Sequence, residues 1–232
     1  MSETTGNTET TTWRVPVGDA ETTAVLDAGS AAGRRVVFVC AHGAGGNRDD
    51  RGMLAVRNAL RPRGMDLVRF NFLYKERGSG RPDPMPRLME TVTAVVERAR
   101  EELRPDVLII GGRSMGGRAA SMLAAEGFAC DGLLLLAYPL HPAGQPEKLR
   151  DAHLPSIRVP VLCFNGTRDE LCRRDLMEHV LEKVGPNWRM HWVEGADHSF
   201  HVLKSSGRTD AQVMDEVGDA AQAWIAKLGS AA

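Results

Sequence analysis

The 232-residue sequence has almost no excess of either charge: 29 Lys and Arg stand against 30 Asp and Glu, for a formal net charge of −1. Holding a phosphate backbone takes a basic surplus, so the balance speaks against a nucleic-acid binder. Long apolar runs are also missing. The longest, residues 133–140, falls far short of the roughly 20 residues that a membrane-spanning helix needs. The four cysteines, Cys40, Cys130, Cys163 and Cys172, form no CxxC pair and show no metal-ligand spacing with the seven histidines. Neither a disulfide framework nor a zinc site is indicated, and reduced thiols in a cytoplasmic setting are expected. The first residues lack the basic and apolar regions of a secretory signal.

What is present is ordinary globular composition, 43% apolar and 25% charged, enough to bury a sizeable core. At about 150 residues per domain the length suits one large domain. The expected layout is a flexible Thr- and Glu-rich tail over residues 1–12 and a single α/β domain over 13–232.

Residues 13–17 and 22–26, around Gly18-Asp19, read as a hairpin at a sheet edge. Strand and helix signals then alternate. The run 35–40 (RVVFVC) opens into a glycine-rich turn, Met53, Val56, Ala59 and Leu60 follow at helical spacing, and 66–72 reads as strand. Residues 75–86 (KERGSGRPDPMP) read as a surface loop. Leu88, Val92, Val95, Val96, Ala99 and Leu103 form one helical stripe, which Pro105 stops before a strand at 107–110. A helix over 114–126 and a buried strand at 132–138 come next. The proline-rich connector 139–160 has too little periodicity for a large helical lid. Strand 161–165, helix 175–184, strand 188–193 and helix 211–228 complete the chain. Such alternation builds a mostly parallel sheet with helices on both faces and ligands at the carboxyl ends of its strands.

The sharpest local signal is G-x-S-x-G at residues 112–116, between a buried strand and a helix. A serine in that setting sits on a sharp turn with its hydroxyl exposed, and flanking glycines avoid collisions with neighbouring backbone. Ser114 is thereby a candidate nucleophile; the plainer alternative is a helix N-cap. A serine hydroxyl attacks only when a base takes its proton. His198 follows the last strand, on the same sheet edge, with His201 as fallback; His141, His153, His179 and His191 read as packing or surface residues. A carboxylate must hold the imidazole tautomer, and Asp169 follows strand 161–165. Glu170 is its neighbouring alternative, whereas Asp197 adjoins His198 too closely to orient that ring. The order Ser114, Asp169, His198 is that of the α/β-hydrolases. The turn 42–46 (HGAGG) adds an oxyanion donor, assigned to the Ala44 N–H, beside the Met115 N–H at the helix start. His42 is read as bracing that loop.

With HGAGGN at 42–47, RFNF at 69–72, GRSMGG at 112–117, GTRDE at 166–170 and GADHSF at 195–200, the chain resembles a small, lidless α/β-hydrolase. It is similar to dienelactone hydrolase-like proteins, especially the testis-expressed hydrolase-like branch, over residues 35–228. The resemblance implies nucleophile, acid and base roles for Ser114, Asp169 and His198. Dienelactone hydrolases proper carry cysteine where this chain has Ser114. The function expected is a serine hydrolase acting on an ester or thioester of a small-molecule acyl substrate, with no cofactor and no nucleic-acid or membrane partner. Arg113 and Arg77, with Arg168, are candidates for an anionic-substrate subsite, or else pair with local carboxylates. Two other functions fit the same residues: a non-catalytic interaction module, and an acyltransferase or perhydrolase.

Overall fold

Residues 36–39, 107–110 and 133–136 are apolar at every position, so each strand presents greasy side chains to both faces and needs a covering layer on each. The computed structural model, which describes residues 10–29 and 33–228, supplies those layers. Eight strands form one sheet: β1 (Thr10–Val17), β2 (Ala20–Asp27), β3 (Val36–Ala41), β4 (Met65–Phe70), β5 (Val107–Arg113), β6 (Gly132–Leu136), β7 (Val161–Gly166) and β8 (Trp188–Val193). Their order is β1-β2-β4-β3-β5-β6-β7-β8. β1 and β2 pair antiparallel, as do β2 and β4; the remaining pairs are parallel.

Among the described residues six helices connect and cover the strands: α1 (Arg51–Leu60), α2 (Leu73–Glu76), α3 (Met85–Leu103), α4 (Met115–Ala125), α5 (Arg174–Leu181) and α6 (Asp210–Ile225). Val37, Val39, Leu108, Ile110, Leu133 and Leu135 meet α3 and α4 on one face. Their neighbours Phe38, Ile109, Leu134 and Leu136 meet α1 and α6 on the other. Local chemistry sets the helix starts: Asp50 caps α1 by accepting from the Met53 N–H, and Thr209 and Gln212 form a capping box on α6. No helix among the described residues is long and apolar enough to cross a membrane.

Several boundaries differ from the sequence expectation. β1 begins at Thr10, because residues 10–12 pair with 25–27 of β2; residues 1–9 of the expected tail lie outside the described residues. β4 stops at Phe70 rather than running to Phe72, since the Phe72 N–H leaves the ladder to donate to His42. The expected loop 75–86 contains the end of α2, whose Tyr74 N–H donates to Asp83 at 2.9 Å, and the start of α3. The last helix ends at Ile225, three residues before Leu228.

One buried ion pair ties the antiparallel edge to the loop after β3. Arg69 of β4 and Asp27 of β2 are nearly enclosed, with Nε donating to Oδ2 at 2.6 Å. The Arg69 Nη1 also donates to Asp49, at 2.9 Å, and to the Arg48 carbonyl. Without Arg69 the buried Asp27 keeps, among the described residues, only the more distant Arg57, 3.9 Å away, and losing a buried ion-pair partner typically costs about 3–5 kcal/mol. Arg69→Met is therefore expected to lower the unfolding free energy by about that amount in urea titration. A loss below about 1 kcal/mol would mean that water reaches Asp27 once the arginine is gone.

Candidate active site

Ser114 caps the carboxyl end of β5 with φ 48° and ψ −115°, a conformation that L-residues rarely adopt. The strain is held from both sides: its N–H donates to the Leu136 carbonyl at 2.9 Å, and its carbonyl accepts from the Arg118 N–H at 3.0 Å. The flanking glycines are a steric requirement. A Cβ on Gly112 would stand 2.1 Å from the Ala41 carbonyl oxygen, and one on Gly116 2.6 Å from those of both Ala41 and His42. The turn can form only where β5 and the loop after β3 touch without side chains between them.

The fold brings three of the candidate residues into one hydrogen-bonded chain. His198 Nε2 lies 3.0 Å from Ser114 Oγ, and its Nδ1 lies 2.9 and 2.8 Å from the two Asp169 oxygens. A carboxylate accepts, so Nδ1 carries the proton and Nε2 is left free to accept from the serine hydroxyl. Asp169 is buried and fully engaged: Oδ2 accepts from Asn165 Nδ2 at 3.0 Å and Oδ1 from the Leu171 N–H at 2.8 Å. Asn165, itself buried, is held by the Tyr138 backbone, whose N–H and carbonyl its amide meets at 3.1 and 3.0 Å. Asn165 went unnoticed in the sequence; its one signal there is a polar residue in an otherwise apolar strand. Glu170, the alternative acid, is exposed.

The other histidines are engaged elsewhere. His201 meets Asp210 at 3.0 Å, His191 meets Glu216 at 2.7 Å and His179 meets Glu182 at 3.2 Å. His141 accepts from the Arg173 N–H at 3.2 Å. His153 lies 2.8 Å from Ser121 Oγ, and burial, with Arg118 nearby, pushes it down to about 4. His42 is an internal brace: Nε2 accepts from the Phe72 N–H at 3.1 Å, which leaves Nδ1 to donate to the Gly43 carbonyl at 2.8 Å. Burial holds it below the ordinary imidazole range, in the neutral form that this bonding needs. Asp197 accepts from the Ser199 and His201 N–H groups at 2.8 and 3.0 Å, shaping the loop that carries His198.

The loop after β3 passes beside Ser114: a Cβ on Gly43 would lie 3.5 Å from the serine Cβ. The Ala44 and Met115 N–H groups have no hydrogen-bond partner among the described residues. Met115 opens α4, where backbone N–H groups point outward and the helix field favours negative charge.

The arginines separate. Arg113 lines a cavity of about 550 Å³ between α1, α6 and residues 199–201. Arg77 is not among its lining residues; Asp83 binds its guanidinium at 2.5 Å. Arg77 and Arg113 thus differ in their surroundings: Asp83 pairs with the one, and the cavity adjoins the other. Arg168 donates to the Gly195 carbonyl at 3.1 Å. Among the described residues no group of His, Cys, Asp and Glu could hold a metal ion.

Comparison with known proteins follows the same lines. A family model described as an alpha/beta hydrolase domain matches residues 34–226. The chain is similar to a dienelactone hydrolase from Anabaena variabilis, with TM-score 0.75 and 19% identity over 95% of this chain and 98% of that one. A serine hydrolase without lid from Xanthomonas campestris gives TM-score 0.72 and 20% identity over 97% and 98% of the two chains. The esterase domain of a Rhodothermus marinus protein gives 0.72 and 15% over 95% and 99%. At such identities the likeness speaks to the fold, and the family match covers most of the sequence: the chain belongs to the α/β-hydrolase family.

Proposed function

We propose that the protein is a serine hydrolase that cleaves an ester or thioester of a small to medium acyl substrate. The observation that carries this reading is the chain of hydrogen bonds from Ser114 Oγ through His198 to Asp169. Solved structures of the same fold, a serine hydrolase and an esterase domain, support it.

In the proposed cycle Ser114 Oγ attacks the acyl carbonyl while His198 Nε2 takes its proton, and Asp169 steadies the resulting imidazolium. The carbonyl oxygen, now negative, rests on the Ala44 and Met115 N–H groups. His198 then passes its proton to the departing oxygen or sulfur. Water, deprotonated by His198, attacks the acyl-enzyme and releases the acid and free Ser114. Every proton in the scheme travels through His198, so it calls on no cofactor. An acyltransferase or perhydrolase would differ only in the acceptor that replaces water.

Residues 139–160 carry one short 3-10 turn, Leu154–Ser156, too little for a lid that opens at a lipid surface. Soluble esters are the expected substrates. In a steady-state screen of nitrophenyl esters and acyl thioesters, short and medium chains are expected to turn over. The rate should not jump as a long-chain ester passes its critical micelle concentration. A sharp jump there would contradict the soluble-substrate reading, and no turnover of any ester or thioester by the folded protein would contradict the hydrolase.

A further inference from the structure

Arg113 ends β5, one residue before Ser114, and its side chain crosses to the first turn of α1. It occupies the space that a side chain at Gly52 would fill: a Cβ there would come within 1.6 Å of Arg113 Nη1 and 2.6 Å of Cζ. Gly52, the second residue of α1, leaves this hollow open. From it, Arg113 Nη2 donates to the backbone carbonyl of His198 at 3.4 Å. Its Nε is buried with no hydrogen-bond partner among the described residues.

On this side the His198 loop packs Phe200 into the core and otherwise borders a cavity. The cavity of about 550 Å³ opens against Ser199, Phe200 and His201, with Gly52 and Arg113 in its wall. Phe200 sits at φ 61°, so the loop is itself strained. Asp197 stitches the loop internally and the buried Phe200 anchors it, while Arg113 is the side chain that ties its main chain to the end of β5, next to Ser114.

We infer that Arg113 is a positioning residue: seated in the hollow left by Gly52, its guanidinium holds the main chain of His198 so that Nε2 stays within reach of Ser114 Oγ. The inference rests on the proposed triad. Misplacing a reacting group by about 1 Å can cost 100-fold in rate, so the effect belongs in kcat and in the rate at which a fluorophosphonate labels Ser114, with KM little changed.

The test compares Gly52→Ala, Arg113→Gln and the double variant with wild type, in ester kinetics, fluorophosphonate labelling rate and thermal unfolding. Each single change is expected to lower kcat and the labelling rate by about 10- to 100-fold, with cooperative unfolding retained. The double variant should be no slower than the slower single, because both changes remove the same contact. Full kcat in Gly52→Ala would overturn the inference, as would losses that multiply in the double variant. So would a raised KM at unchanged kcat, which would make Arg113 a substrate contact. A wild type that takes up no fluorophosphonate and turns over no ester would instead remove the triad reading, and this inference with it.

Discussion

Ser114→Ala is expected to lower kcat by about a millionfold, leaving only the residual rate that oxyanion donors and substrate binding provide. The change removes one oxygen whose contact is with His198 Nε2. The backbone bonds that hold the turn, to Leu136 and Arg118, do not involve the side chain. Alanine meets the same steric limits as serine at φ 48°, so the fold and its unfolding temperature should be unchanged. His198→Ala should cost about as much, and the double variant no more than either single, because nucleophile and base act as one unit. The measurement is kcat on the best ester found, with circular dichroism confirming the fold. A fall of less than about tenfold in Ser114→Ala would mean that another group carries the reaction.

Asp169→Asn is expected to cost about 10⁴-fold in kcat and, because its NH2 must face a buried N–H donor, about 1–3 kcal/mol in stability. The size follows from how the carboxylate is held. Both oxygens already accept, one from Asn165 Nδ2 and the other from the Leu171 N–H, and both face His198 Nδ1. An amide in this place would turn an NH2 group towards one of those donors. The least costly arrangement flips the imidazole tautomer, putting the proton on Nε2, where it can no longer accept from Ser114. Replacing the exposed Glu170 by glutamine is expected to leave the rate alone, since its side chain takes no part in this chain of bonds. Equal losses at both positions would contradict the assignment of the acid.

Much of the sheet was legible because its code is local. Residues 36–39, 107–110 and 133–136, apolar throughout, short and bounded by turn residues, read as strands covered on both faces. Glycines around Ser114 in a strand-to-helix setting mark a turn that needs empty space on both sides. The order of Ser114, Asp169 and His198 after the carboxyl ends of β5, β7 and β8 is likewise readable along the chain. What escaped depends on contacts between distant residues. Asn165 looks like any strand-end asparagine until Tyr138 and Asp169 are folded around its amide. α2 is too short to show periodicity and is anchored by Asp83, nine residues on from Tyr74. Arg77 and Arg113 look equally free in the sequence; Asp83 and Gly52, which give them different places, declare themselves only in three dimensions.

The central claim is that His198, held by Asp169, activates Ser114. The most direct test is intact-mass analysis after treatment with a fluorophosphonate, which reacts with an activated serine whatever the natural substrate. The account predicts a single adduct on the wild-type protein, mapped to Ser114, and none on folded Ser114→Ala or His198→Ala. No adduct on the folded wild type, or an adduct that survives in His198→Ala, would contradict it.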